Sequence, residues 1–245
     1  MLAFSSTPLF EPFAMPLLLE KLSSSLPSAM VDSLKYLSFC TSQYGAERVA
    51  KHAGALWSSL RDAICDSVKE HALSFTLELL HGVDTQGNQI EREALSFLEK
   101  LIIQNNDLFL GLIIQDQEIN MLVNTATSYK SYKEILTQSK QKLYAVGRIL
   151  YVSAKASIAS CNKIFQSFFP RLLMALGLSV ESASGMCCSK SNGIICGQAN
   201  FGPLYLCIEL LGACGYLIVD PEDLKSQFVY VNEVWCCWLQ HSPLP

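Results

Sequence analysis

Residues 7–41 read TPLFEPFAMPLLLEKLSSSLPSAMVDSLKYLSFCT, and their spacing decides the fold class. Thr7 is a helix-capping residue type, and Pro8 follows it, where a missing N–H does no harm to a first turn. A helix is expected from there to about Leu22. Ser23–Ser28 reads as a turn. Pro27 then opens a second helix to about Thr41, with Val31, Leu34, Leu37 and Phe39 as its apolar contacts. Two helices joined by so short a turn make a helical hairpin.

The same pattern recurs down the chain. Second helices are read in VDSLKYLSF, REALSFLEKL, QKLYAVGRIL and LYLCIELLGA, each with an apolar pair three residues apart. The pairs are Leu34/Leu37, Leu95/Leu98, Leu143/Val146 and Ile208/Leu211, at steps of 61, 48 and 65 residues. A HEAT or armadillo unit takes about 40–47 residues, so the longer steps require inserts. Polar or Ser/Gly/Cys-rich stretches supply them at 81–89 and 179–197. First helices precede each second helix: FEPFAMPLLLEKL, GALWSSLRDAI, NNDLFLGLII with INMLVNTATSY, and NKIFQSFFPRLLMALGL. Two of these carry an internal proline, Pro16 and Pro170, which bends a helix without ending the repeat. Strand signals are nearly absent apart from a weak stretch at Phe228–Val231.

The expectation is therefore an all-α HEAT-repeat superhelix of the armadillo-like type. Its hairpins are placed at 1–42, at 45–104 with an insert near 81–89, at 105–155, and at 157–219 with a loop at 179–197. Residues 220–245 read as the start of a further repeat.

Composition narrows the function classes. The chain has 245 residues, 50% of them hydrophobic and only 16% charged. That excludes bulk disorder, which needs low hydrophobicity and high charge. A net charge of −4 excludes a globally basic nucleic-acid binder. The ten cysteines form no C-x-x-C pair and lie at no zinc-finger spacing from histidine. They read as reduced thiols acting as small hydrophobes. Cys187, Cys188 and Cys196 share one loop-like stretch but lack a fourth ligand for a cluster cage. Prolines and acid interrupt the N-terminal apolar residues, unlike a signal peptide. Phe201–Val219 imitates a membrane span, but Glu209 and Pro203 favour a buried helix.

The stretches FSSTPLFEPFAMPLLLEKL, YGAERVAKHAGALWSSL and SKQKLYAVGRILYVSAKAS resemble the N-terminal conserved region of the MMS-nineteen family, its plant members above all. These are large HEAT-repeat adaptors of cytosolic iron–sulfur assembly, also called nucleotide excision repair proteins. The resemblance runs from about Leu2 to Trp238. Members are several times longer, so the chain reads as a piece of that N-terminal region. The resemblance implies adaptor work in the nucleus and cytoplasm, bringing the iron–sulfur targeting factors to client apoproteins such as repair helicases and polymerases. It implies protein partners, with no direct nucleic acid and no membrane. The alternative is a generic HEAT scaffold without an iron–sulfur role.

Phosphate loops, dinucleotide fingerprints, zinc-protease and nucleophile-elbow motifs are all missing. His52, His71, His81 and His241 are dispersed, and Glu91, Glu93 and Glu99 are placed on polar helix faces. The chain is expected to be a non-enzyme with no cofactor and no metal. Charge is uneven, however. Residues 130–171 hold eight basic side chains against Glu134 alone. Lys130, Lys133, Lys140, Lys142, Arg148 and Lys155 are the candidate partner-binding segment, an ordinary solvated face being the alternative.

Overall fold

The computed structural model describes residues 7–81, 86–126, 137–176 and 201–215. A 3-10 turn at Pro8–Phe10 leads into α1 (Glu11–Leu22). Then follow α2 (Pro27–Tyr44), the short α3 (Ala46–Ala50), α4 (Ala53–His81) and α5 (Gln86–Gln104). The remaining helices are α6 (Asn106–Gln115), α7 (Gln117–Ala126), α8 (Thr137–Lys155), α9 (Ile158–Ala175) and α10 (Phe201–Gly215). No strand occurs among the described residues, and the architecture is the all-α HEAT-like superhelix that the repeat pattern predicts.

The helices form two layers. In one, α2, α5, α8 and α10 pack in sequence; in the other, α1 packs on α4, α4 on α6, and α6 on α9. Each hairpin closes between the layers, through α1 with α2, α4 with α5, α7 with α8, and α9 with α10. Stability in such an array is close to a sum over neighbouring interfaces.

Local chemistry sets the boundaries. Thr7 precedes the 3-10 turn but its side chain accepts no capping bond. Pro27 occupies the first turn of α2 as its sequence suggests. Gly45 ends α2 at φ +79°, a backbone conformation that glycine adopts without a Cβ clash. Pro16 and Pro170 both lie inside continuous helices. Ser157 caps α9 by accepting from the Ser160 amide. Gln86–Gln89, placed in a polar insert by the sequence, belong to α5. The 179–197 loop, the Phe228–Val231 stretch and residues 220–245 lie outside the described residues.

The core runs the length of the array. Leu34/Leu37, Leu95/Leu98 and Leu143/Val146 are all buried, as their spacing predicts. Phe97, Phe109 and Phe168 are among the largest fully buried side chains, each worth roughly 1.5–3 kcal/mol of transfer free energy. Two expectations fail. Ile208 is 43% exposed, because α10 turns Leu206, Cys207, Leu210, Ala213 and Cys214 inward instead. Phe39 is 41% exposed, because α2 meets α1 and α5 through Leu34, Leu37, Cys40 and Thr41. Both helices carry apolar residues around much of their circumference, so spacing alone does not fix which side faces in. No described helix is long and apolar enough to cross a membrane.

Candidate functional site

Among the described residues, the basic segment does not form one solvated face. Lys142 stands exposed on α8, and Lys140 and Lys155 are half-buried on the same helix. Lys130 and Lys133 lie outside the described residues. Arg148 turns into the joint between α5 and α8, with Nε 3.6 Å from a Glu91 carboxylate oxygen and its guanidinium 5.3 Å from the Tyr151 ring centre. Two further basic residues from 130–171 are committed elsewhere. Lys163 pairs with Asp107 across α9 and α6, and Arg171 donates to Asn120 at 2.8 Å and to Asn124. Part of the positive charge counted from the sequence thus ties helices together.

Glu91 corrects the sequence reading. The sequence puts it on a polar face, yet it is 6% exposed. It stands on the same side of α5 as Ala94, Leu95 and Leu98, at offsets of three, four and seven residues. That offset series was visible in the sequence and marks a position facing inward. Around Glu91 and Arg148 the joint gathers Tyr144 from α8 and Tyr205 and Glu209 from α10. Burial, with the Glu91 carboxylate nearby, raises the Tyr144 phenol above its ordinary range. Burial and the Glu209 carboxylate push the Tyr205 phenol further up. Both tyrosines are therefore neutral. The approach of α10 depends on glycine. A Cβ on Gly147 would lie 2.7 Å from a Tyr205 ring carbon, and one on Gly202 would overlap the Ala126 carbonyl oxygen.

A second polar joint lies in the other layer, where α4 meets the break between α6 and α7. The sequence reading set these two helices in tandem but gave Asp116 no role. Asp116 sits at the break with extended backbone angles. Its Oδ1 accepts the Ile119 amide at 2.9 Å, capping α7. Its Oδ2 accepts from Trp57 Nε1 at 2.7 Å and from an Arg61 terminal nitrogen at 2.9 Å. Arg61 also reaches Asp62 at 3.0 Å and Glu118 at 3.3 Å. Burial disfavours the Asp116 anion, but the Ile119 amide, Trp57 and Arg61 outweigh it and hold the carboxyl below its usual range. The signal in the sequence was an Asp before a helical run, a common N-cap.

The remaining candidates fall into the same pattern. His52 precedes α4 and pairs with Glu11 of α1. The side chains of His71, His81 and His241 lie outside the described residues, as do Cys187, Cys188 and Cys196. Cys40, Cys161, Cys207 and Cys214 are buried and unbridged, and burial pushes the Cys207 thiol up to about 12. No group of three metal-ligating side chains occurs among the described residues. The described polar clusters join helices.

Comparison with known proteins points to one family. Residues 1–66 match the family described as "Dos2-interacting transcription regulator of RNA-Pol-II". The chain is 46% identical over 91% of its length to the "MMS19 nucleotide excision repair protein homolog" of Arabidopsis thaliana. It is 29% identical over 69% of its length to the human protein of that name, and 30% over 73% to the Xenopus laevis one. It spans 20% of the Arabidopsis relative and 14% of the human one. The chain belongs to the MMS19 nucleotide excision repair protein family.

Proposed function

We propose that the chain is a non-catalytic part of a HEAT-repeat adaptor of the cytosolic iron–sulfur assembly targeting complex. In this reading it helps deliver clusters to apoproteins of DNA replication, repair and transcription. The carrying observation is the similarity to MMS19 proteins along nearly the whole chain, on a frame whose described polar clusters serve helix packing. The relatives' shared name places them in nucleotide excision repair, and the matching family's description speaks of interaction with another protein.

Mechanism here means holding proteins together. An extended array presents many contact positions, and bringing an assembly factor and a client onto one frame raises their effective concentration. No bond is made or broken by the chain itself. Exposed Lys142 on α8 is the described part of the basic segment that an acidic client surface would meet. The chain is expected to work in the nucleus and cytoplasm, on protein partners, without binding nucleic acid directly.

The test is affinity capture from plant extract with the purified chain as bait. Enrichment of iron–sulfur assembly factors and of apo-helicases or polymerases supports the adaptor reading. Enrichment of unrelated transport or phosphatase subunits alone would return the chain to a generic HEAT scaffold. Hydrolytic or redox turnover by the purified chain would end the non-catalytic reading.

A further inference from the structure

Two of the buried cysteines meet inside one hairpin. The inward stripe of α9 runs Cys161, Ile164, Phe168 and Leu172, at offsets of three, seven and eleven residues. That of α10 runs Leu206, Cys207, Leu210, Ala213 and Cys214. The two helices pack together. Cys161 begins its stripe near the start of α9, and Cys214 ends its stripe next to the last residue of α10. An antiparallel hairpin brings those two ends side by side. There the two thiols hydrogen-bond to each other.

The pair differs from the other buried cysteines in access and in acidity. Cys161 and Cys214 each keep 4% of their surface exposed, whereas Cys40 and Cys207 keep none. A small oxidant therefore meets the end of the hairpin before its middle. The hydrogen bond from Cys214 holds the Cys161 thiol below its ordinary range, against burial; the same bond, with burial, pushes the Cys214 thiol up. The start of a helix also favours a thiolate. Cys207, two turns back along α10, is raised by burial alone. The thiolate is the reactive form, so Cys161 is the sulfur that reacts first.

We propose that Cys161 and Cys214 are a redox pair whose reversible disulfide staples α9 to α10 when a hydroperoxide oxidises the chain. The Cys161 thiolate attacks the terminal peroxide oxygen and the O–O bond breaks. Hydroxide or alkoxide leaves with the bonding pair and takes up the proton that Cys161 gave up. Cys161 is then a sulfenic acid. The Cys214 sulfur attacks the Cys161 sulfur, the S–O bond breaks, and the hydroxyl leaves with the Cys214 proton as water. Each sulfur ends one electron poorer, and the peroxide has taken both electrons. The bond closes a loop over residues 161–214, which constrains the unfolded chain, and a dithiol reductant reopens it. This switch is stoichiometric, involves no turnover and stands apart from the adaptor reading.

The test treats the reduced chain with a few equivalents of hydrogen peroxide and then blocks the remaining thiols by alkylation. Peptide mapping with cleavage between Cys207 and Cys214 should find Cys161–Cys214 as the dominant linkage. Melting temperature should rise by about 4–16 °C and fall back with dithiothreitol. Cys161→Ala and Cys214→Ala should each lose the linkage and the rise, while circular dichroism of the reduced variants stays helical. Cys207→Ala should keep both. If an alanine variant does not fold, the map of the unmutated chain decides by itself. Cys161 and Cys214 left as thiols while other cysteines oxidise overturns the proposal. So does a dominant linkage of either one to Cys187, Cys188 or Cys196. A Cys161–Cys214 bond that leaves melting unchanged overturns the staple.

Discussion

Two polar joints hold neighbouring hairpins together, one in each layer, and they are built differently. At the break between α6 and α7, Asp116 is saturated: an amide, an indole N–H and a guanidinium all donate to it within 2.7–2.9 Å. At the joint of α5 with α8, Glu91 is equally buried, but Arg148 Nε stands 3.6 Å away and makes no hydrogen bond. The contrast teaches what burial demands of a carboxylate. A buried charge that is fully hydrogen-bonded fixes geometry and resists loss of any partner. Arg148 and Glu91, held to each other at ion-pair distance, gain less from their attraction, because desolvation offsets much of it, and the Tyr144 hydroxyl donates to Glu91 as well. The second joint is accordingly closed by shape, with Tyr205 seated where Gly147 has no side chain.

The sharpest way to break this comparison is to remove the saturated carboxylate. Asp116→Ala should cost about 3–5 kcal/mol, the range for leaving a buried partner uncompensated, with loss of the α7 cap included. Urea denaturation of the two variants side by side checks it: Glu91→Gln should cost less than Asp116→Asn. The reverse order would mean that the Glu91–Arg148 pair is the stronger joint.

Shape should come next. Gly147→Ala is expected to cost about 1–3 kcal/mol, the usual penalty for overpacking a tight contact. The same variant in a Tyr205→Ala background should cost almost nothing, because the obstructing ring has gone. A full penalty in both backgrounds would assign the effect to something other than the Tyr205 contact.

The Asp116 joint also carries a pH signature. The folded Asp116 carboxyl titrates below its unfolded value of about 3.9. Its contribution is therefore fully present above that unfolded value and is lost as pH falls through the lower folded value. Melting temperature should fall over this acidic window in the wild type. The fall should be shallower in Asp116→Asn, which has no proton to take up at that position. Identical slopes in the two proteins would place the acid sensitivity elsewhere.

The smallest effect is expected outside both joints. Lys142→Glu changes an exposed residue and should move stability by less than about 0.5 kcal/mol. If α8 presents its basic side to a client, the same variant should weaken capture at low salt, and added salt should mimic it by screening. Capture that ignores both would make Lys142 an ordinary solvated residue.

Some of this was legible before any coordinates. Apolar residues three and four apart, prolines in first turns and hairpin-length spacing determined the helices, their order and the repeat class, because those signals arise within a few residues of backbone. The buried pairs Leu34/Leu37, Leu95/Leu98 and Leu143/Val146 followed from the same periodicity. Glu91 faces inward although a carboxylate suggests a polar face, and its offsets from Ala94, Leu95 and Leu98 carry the signal. Which side of α10 faces inward, and how far round α2 the buried side of Leu34 and Leu37 extends, could not be read, and Ile208 and Phe39 differ for that reason: where apolar residues nearly encircle a helix, the neighbours it meets choose the buried side. The partners of Asp116 and Arg148 were equally out of reach. Asp116 and Arg61 are 55 residues apart and Glu91 and Arg148 are separated by a full hairpin, so only the stacking of one repeat on the next decides that their charges meet.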